Sequence, residues 1–109
     1  MKVIKGQLLP KNYWIVYVLK LQDDCWYVGR TTQKMFTARM NKHWKGTASL
    51  FTKVHKPLRV WELEIYPRSL SNSEAEAYEN KKTIELAIKH TGHYVRGGGY
   101  CQASPHWPW

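Results

Sequence analysis

Glu79 is the residue whose position raises the question of chemistry. It falls in a stretch that reads as a helix, beginning at Ser71-Asn-Ser and ending near His90. At about 100° per residue, Ala75, Ala77, Ile84, Leu86, Ala87 and Ile88 span an arc of about 220°, with Lys81, Lys82, Glu85 and Lys89 opposite. Glu76 and Glu79 both fall inside the apolar arc. A carboxylate there costs free energy unless it is paired or binds a cation. Glu76 is accounted for as a capping acid, because Ser71/Glu74 and Ser73/Glu76 both have the S-x-x-E spacing. Glu79 lies too far into the helix for that role. It is either half of a buried ion pair with an arginine or a carboxylate available to a cation. Asn80 beside it supports a polar site at this end of the helix.

Arg39 and His43 are spaced i, i+4 in an earlier helical stretch, so they share a face. Arginine can bind a phosphate through two parallel hydrogen bonds, and histidine can move a proton near neutral pH. Such a pair can equally belong to a solvated basic face, as can Lys42 and Lys45, which otherwise suit contacts to a phosphate backbone. Tyr17 and Tyr27 sit in strand-like segments, where tyrosines commonly serve packing. Gly29, two residues before Thr31-Thr32, permits a close approach by backbone or ligand.

The elements that must position these residues follow from local pattern. Tyr13 to Leu21 (YWIVYVLKL) is β-branched and aromatic without Gly or Pro, and reads as a strand. Gln22-Asp-Asp breaks it, and Cys25 to Arg30 (CWYVGR) resumes the pattern, which predicts a hairpin. Side chains alternate faces along a strand, so Tyr17 and Tyr27 share a face only if the loop has an odd length, such as Gln22-Asp23-Asp24, or a bulge. Thr31 and Thr32 are candidate N-caps for a helix to about Lys45, with Phe36, Met40 and Trp44 as its apolar stripe and Gly46 ending it. After a polar loop, Pro57 to Tyr66 alternates imperfectly and reads as a third strand, stopped by Pro67. Residues 1–12 read as a lead-in, and the segment after Tyr94, with Gly97-Gly-Gly, as irregular. The order strand, strand, helix, strand, helix implies an α+β fold, a small three-stranded antiparallel sheet flanked by helices.

The chain has 109 residues, 17 Lys and Arg against 8 Asp and Glu, a formal net charge of +9 and a pI near 9.7. So large a surplus favours a polyanionic partner, nucleic acid before an anionic membrane surface. Six Trp and seven Tyr add potential stacking surface for bases. Neither helix pairs a strongly basic face with a bulky apolar one, which argues against peripheral membrane binding. With two cysteines, Cys25 and Cys101, and no apolar leader or spanning run, the expectation is a soluble, cytoplasmic protein with free thiols. His90, His93, Cys101 and His106 have a spacing that matches no zinc knuckle. No Walker loop, CxxC pair or Ser-His-Asp signature is present.

Taken in order, Ile15-Val16-Tyr17, then Tyr27-Val28-Gly29-Arg30-Thr31, then Arg39 and His43, then Glu79, resembles the motif set of the GIY-YIG nucleases. The resemblance runs from Trp14 to Tyr100, within one domain whose core is about residues 13–100, with extensions at 1–12 and 101–109. It implies a divalent metal, Mg²⁺ or Mn²⁺, held by Glu79. It also implies that Tyr17 and Tyr27 line the site, that Arg39 contacts the scissile phosphate, and that Tyr17 with help from His43 takes the proton from water. Arg30, Lys42, Lys45 and Arg96 are the expected contacts to nucleic acid, DNA in preference; Arg96 with its glycines could form a backbone-amide nest for phosphate. The sequence departs from the family with Ile15 in place of Gly and Val28 in place of Ile. The asparagine many members carry near the end of the domain has no counterpart in Tyr94–Tyr100. The alternative expectation is a non-catalytic, basic nucleic-acid-binding module on the same fold.

Overall fold

The hairpin forms where the β-branched and aromatic runs place it, and its loop settles which face each tyrosine takes. In the computed structural model, which describes residues 2–3, 12–90 and 94–97, strand β1 spans Lys2–Val3, β2 Trp14–Leu21 and β3 Cys25–Thr32. β2 and β3 pair antiparallel with Tyr17 opposite Gly29 and Leu19 opposite Tyr27. That register leaves the three-residue loop Gln22-Asp23-Asp24, with Asp23 and Asp24 at φ of 61° and 54°. Aspartate visits this left-handed region more easily than most residues because its side chain bonds locally. The loop is odd, so Tyr17 and Tyr27 share a face, as a common site requires.

A 3₁₀ turn over Gln33–Met35 leads into helix α1 (Phe36–Lys45), followed by a short helix α2 (Leu50–Val54) and strand β4 (Pro57–Tyr66). Helix α3 (Asn72–Lys89) and strand β5 (Tyr94–Gly97) complete the order. The strands form one mixed sheet, β1-β4-β2-β3-β5. The central β4-β2-β3 part is antiparallel, as the sequence predicts, but β1 pairs parallel to β4 and β5 parallel to β3. The expected three-stranded sheet therefore gains two edge strands, in segments read as a lead-in and as an irregular tail. Two and four residues are too short to show a period of their own, and their pairing partners lie far away in sequence. The imperfect alternation of β4 corresponds to two register shifts against β2, opposite Val18/Leu19 and Lys20/Leu21.

The sheet has two covered faces. On one, Ile15, Tyr17, Leu19, Leu21, Cys25 and Tyr27 pack with Phe36 and Met40 of α1 and Phe51 of α2. On the other, Val16, Val18, Trp26 and Val28 pack with Val95 and with Leu86 and Ala87 of α3. Among the described residues the β3–β5 pairing runs from Cys25 to Val28.

Two helical stripes differ from expectation. Besides Phe36 and Met40, the α1 side chain that enters the core is His43, fully buried, while Trp44 is 46% exposed. Measured from Phe36, His43 lies about 20° off the same line and Trp44 about 80°. The start of α1 also differs: β3 continues through Thr32, whose side chain makes no capping bond. In α3 the capping box at Ser71/Glu74 forms with both hydrogen bonds, and the helix ends at Lys89 with His90 as its C-cap. Ala77 and Ile88, placed in the apolar arc, are exposed, whereas Lys82, placed on the solvated side, is buried. Lys82 Nζ lies 2.6 Å from Glu62 and 3.1 Å from Glu64 of β4. These partners hold its pKa above the usual lysine value although burial opposes the charge.

Among the described residues no helix is long and apolar enough to cross a membrane. Cys25 is a free, buried thiol, its pKa pushed up to about 11 by burial and by Asp23. Lys82→Met removes the charge that compensates Glu62 and Glu64, and is expected to lower stability by about 3 kcal/mol. Urea denaturation of the two proteins measures it; an unchanged midpoint would mean the cluster is solvated enough to need no lysine.

Candidate active site

Gly29 is where the site begins. A Cβ there would lie 2.3 Å from the Oη of Tyr17 and 2.4 Å from its Cζ. The phenol thus lies flat across the strand opposite, in the space that glycine leaves. The close approach expected at Gly29 is made by a tyrosine of the neighbouring strand, not by backbone.

The buried phenol is tied into a chain of hydrogen bonds. Arg39 Nε–H donates to Tyr17 Oη at 3.3 Å, and Tyr17 Oη lies 2.7 Å from His43 Nε2. His43 Nδ1 lies 3.1 Å from Thr52 Oγ1, and Thr52 Oγ1 lies 2.9 Å from Ser49 Oγ. Ser49 caps α2 by accepting from the Thr52 N–H, so α2 exists in part to present Thr52 to the imidazole. Burial, and then the positive charge of Arg39, lower the His43 pKa to about 4, so the ring is neutral at physiological pH. In the tautomer protonated on Nδ1, His43 donates to Thr52 and its Nε2 accepts the Tyr17 proton. Tyr27 completes this layer, its ring 4.9 Å from that of His43 and 6.4 Å from that of Tyr17. Arg39 stays charged: burial opposes this, but hydrogen bonds with Tyr17 and Tyr27 raise its pKa above the usual value.

Glu79 approaches from the other face of the sheet. It is 3% exposed, and Arg30 Nη1 donates to its Oε1 at 2.7 Å. Arg30 Nη2 donates to Asn72 Oδ1 at 3.1 Å, and Glu76 lies 3.7 Å from the same guanidinium. An open cleft of about 310 Å³ is lined by Tyr27, Gly29, Arg30, Arg39, Asn72, Glu79 and Trp14. Glu79, Tyr27 and Arg39 therefore face one space, while Tyr17 and His43, both fully buried, line neither this cleft nor the next. A second cleft, about 240 Å³, is lined by Arg30, Thr31, Met35, Ala38, Arg39 and Lys42. The two share Arg30 and Arg39, so a cationic surface leads from Glu79 towards the exposed Lys42.

The structure thus brings Tyr17, Tyr27, Arg39, His43 and Glu79 together, with Arg30 and Lys42 on the adjoining surface. Lys45 is exposed at the end of α1 and lines neither cleft. Arg96 is 4% exposed, its guanidinium 5.4 Å from the Phe51 ring and its Nη1 donating to Val95 O. That places it in the packing beside Tyr27 instead of on an open phosphate nest. Gly98 and Gly99 lie outside the described residues, as do His93, Cys101, His106 and the Trp107-Pro108-Trp109 tail. The ring of His90 stacks on Trp26 at 4.5 Å. Sequence reasoning missed Trp14, Asn72, Ser49 and Thr52. The S-x-x-T spacing of Ser49 and Thr52 was the available signal for the last two; nothing local marks the first two.

The α+β sheet holds a hydrogen-bonded Tyr-His-Arg cluster and, from its other face, a buried carboxylate in a cationic cleft. Residues 13–89 match the GIY-YIG catalytic domain, and the chain belongs to that family of nucleases. It is 31% identical over 78 residues to a UPF0213 protein of Streptococcus sanguinis (strain SK36), covering 72% of this chain and 87% of the relative. It is 29% identical over 75 residues to UPF0213 protein YazA of Bacillus subtilis (strain 168), covering 69% and 74%. No solved structure matches it.

Two measurements check the packing described here. Gly29→Ala forces a methyl into a ring that cannot step aside, and should cost about 1–3 kcal/mol in urea unfolding. The same change in a Tyr17→Leu background should cost much less; an equal cost in both would place the strain elsewhere. His43 has a lower pKa folded, about 4, than its ordinary 6.5. Between these values the unfolded chain binds a proton that the folded chain does not. Stability contributed by neutral His43 is thus present above pH 6.5 and lost as pH falls towards 4. The loss should be on the order of 3 kcal/mol, and His43→Gln should remove that part of the pH dependence of urea unfolding.

Proposed function

We propose that this chain is a metal-dependent endonuclease that hydrolyses phosphodiester bonds in nucleic acid, with DNA as the preferred substrate. The observation that carries this reading is the single cleft lined by Glu79, Tyr27 and Arg39, with the Tyr17–His43 hydrogen bond directly behind it. A structural role alone does not explain why a neutral histidine, a phenol and a guanidinium are linked in line and open at one end to a buried carboxylate.

Among the described residues no group of three or more His, Cys, Asp or Glu side chains could hold a metal. Mg²⁺ does not need such a cage, because it takes one or two carboxylates and completes its shell with water and substrate phosphate. Glu79 in an open polar cleft fits that donor set, with Asn72 Oδ1 close by on the far side of Arg30. When bound there, the ion would supply charge neutralisation on the phosphate oxygens. Mn²⁺ fits the same donors.

In this reading the chain's own groups handle binding and the proton. Arg39, already oriented by its Nε–H bond to Tyr17, turns its remaining N–H groups to the scissile phosphate. A water attacks phosphorus in line, giving its proton to Tyr17 Oη as the phenol passes its own to His43 Nε2. The new P–O bond forms as the bond to the leaving oxygen breaks, that oxygen takes a proton from water in the cleft, and the imidazolium then gives its proton through Tyr17 to the hydroxide so formed. Tyr27 orients the water or the phosphate through its hydroxyl. Arg30 and Lys42 neutralise flanking phosphates, so binding weakens as salt rises.

Glu79→Gln keeps the shape of the side chain and should lower cleavage of plasmid or oligonucleotide DNA in Mg²⁺ at least about a hundredfold. Circular dichroism and DNA binding in EDTA should remain close to those of the unaltered protein. If the variant cuts as fast as the parent, the carboxylate is not the metal ligand. If neither protein cuts DNA or RNA in Mg²⁺ or Mn²⁺, the non-catalytic binding module is the right description.

A further inference from the structure

The carboxylate assigned to the metal already has a cation. Arg30 Nη1 reaches Glu79 at 2.7 Å, and the two side chains are 20% and 4% exposed. The guanidinium is anchored a second time on Asn72 Oδ1 at 3.1 Å and lies 3.7 Å from Glu76, which is half exposed. Arg30 also lines both clefts and is one of the two residues they share. It is thus a cation in direct contact with the carboxylate, and it stands at the mouth towards which a nucleic-acid backbone would extend. A carboxylate as buried as Glu79 carries a heavy desolvation cost unless a positive charge is beside it. One positive charge is enough, and two cannot share the same oxygens without repulsion.

Resting on the nuclease reading above, we propose that Arg30 is an exchangeable counter-cation of Glu79. Without substrate, the guanidinium holds the carboxylate and competes with a divalent ion for it. When a phosphate enters the shared mouth of the clefts, the guanidinium transfers to the phosphate oxygens, and Glu79 becomes available to Mg²⁺ or Mn²⁺. Arg30 is thus a positioning residue that couples metal binding to phosphate binding. By linkage, phosphate must strengthen metal binding and metal must strengthen phosphate binding by the same factor. A protein built this way keeps its metal site closed until a substrate backbone is present. The contrast with Lys82 is instructive: that lysine is 7% exposed, meets three carboxylates and lines neither cleft. Its charge has nowhere else to go.

The test reads metal binding directly, by titrating Mn²⁺ and following the paramagnetic resonance signal of the free ion. The phosphate probe is deoxythymidine 3′,5′-bisphosphate, which has phosphates but no diester to cut. The full chain should bind Mn²⁺ weakly alone and about tenfold more tightly with the bisphosphate. Arg30→Met, which keeps the apolar stem, should bind Mn²⁺ about tenfold more tightly than the parent without the bisphosphate, and gain less from adding it. Arg30→Lys serves as a second variant and should fall between the two, because a flexible ammonium holds the carboxylate without the double anchor. Glu79→Gln should bind Mn²⁺ in neither condition. If the parent and Arg30→Met bind Mn²⁺ equally while Glu79→Gln does not bind it, the exchange is overturned and the metal assignment stands. If Glu79→Gln binds Mn²⁺ as the parent does, both fall.

Discussion

The arrangement depends on one absence, the missing Cβ at Gly29. Because nothing projects from β3 at that point, the Tyr17 ring can lie across the strand with its hydroxyl reaching towards the sheet edge. Every other member of the cluster is placed relative to that hydroxyl. His43 meets it from the centre of the buried face of α1, and Arg39 meets it from one turn earlier on the same helix. A side chain of any size at position 29 would push the phenol away from both. The glycine is therefore required by packing, and its backbone freedom is incidental.

Burial then does the electrical work. The imidazole of His43 is taken out of water and set near a permanent positive charge, so it stays neutral where a solvent-exposed histidine would begin to charge. A neutral ring can accept a proton, and Thr52 on α2 limits it to a defined orientation. The short helix α2 looks like a connection in the sequence, yet its cap and its threonine are the outer support of the imidazole. A catalytic constellation is only as well placed as the residues behind it.

Helix α3 carries two buried charge clusters with different prospects. Lys82 is enclosed by carboxylates from β4 and from its own helix, and contributes to joining α3 to the sheet. Arg30 and Glu79 line an open cleft that solvent and ligands can reach. Buried ion pairs add little net stability when they form, though losing one partner is costly. A pair in an open cleft can exchange partners, and a pair enclosed in packing cannot.

Much of this was legible in the amino-acid order. The hairpin, the third strand and both long helices are written in local periodicity and in caps such as Ser71/Glu74, because these depend on neighbours a few residues away. The misplaced carboxylate at Glu79 and the i, i+4 pair Arg39/His43 could be singled out for the same reason, whereas the sequence left the loop length open and only the folded register, with the odd loop Gln22-Asp23-Asp24, put both tyrosines on one face. What periodicity could not supply was pairing between distant segments. The parallel edge strands β1 and β5, the burial of Lys82, the exposure of Trp44 and the grip of Arg30 on Glu79 all depend on which surfaces meet after folding. Two readings of Glu79 were open in the sequence, an ion pair with an arginine and a carboxylate available to a cation. The folded chain forms that ion pair inside the cleft, because only the tertiary structure puts an arginine of β3 against a carboxylate of α3.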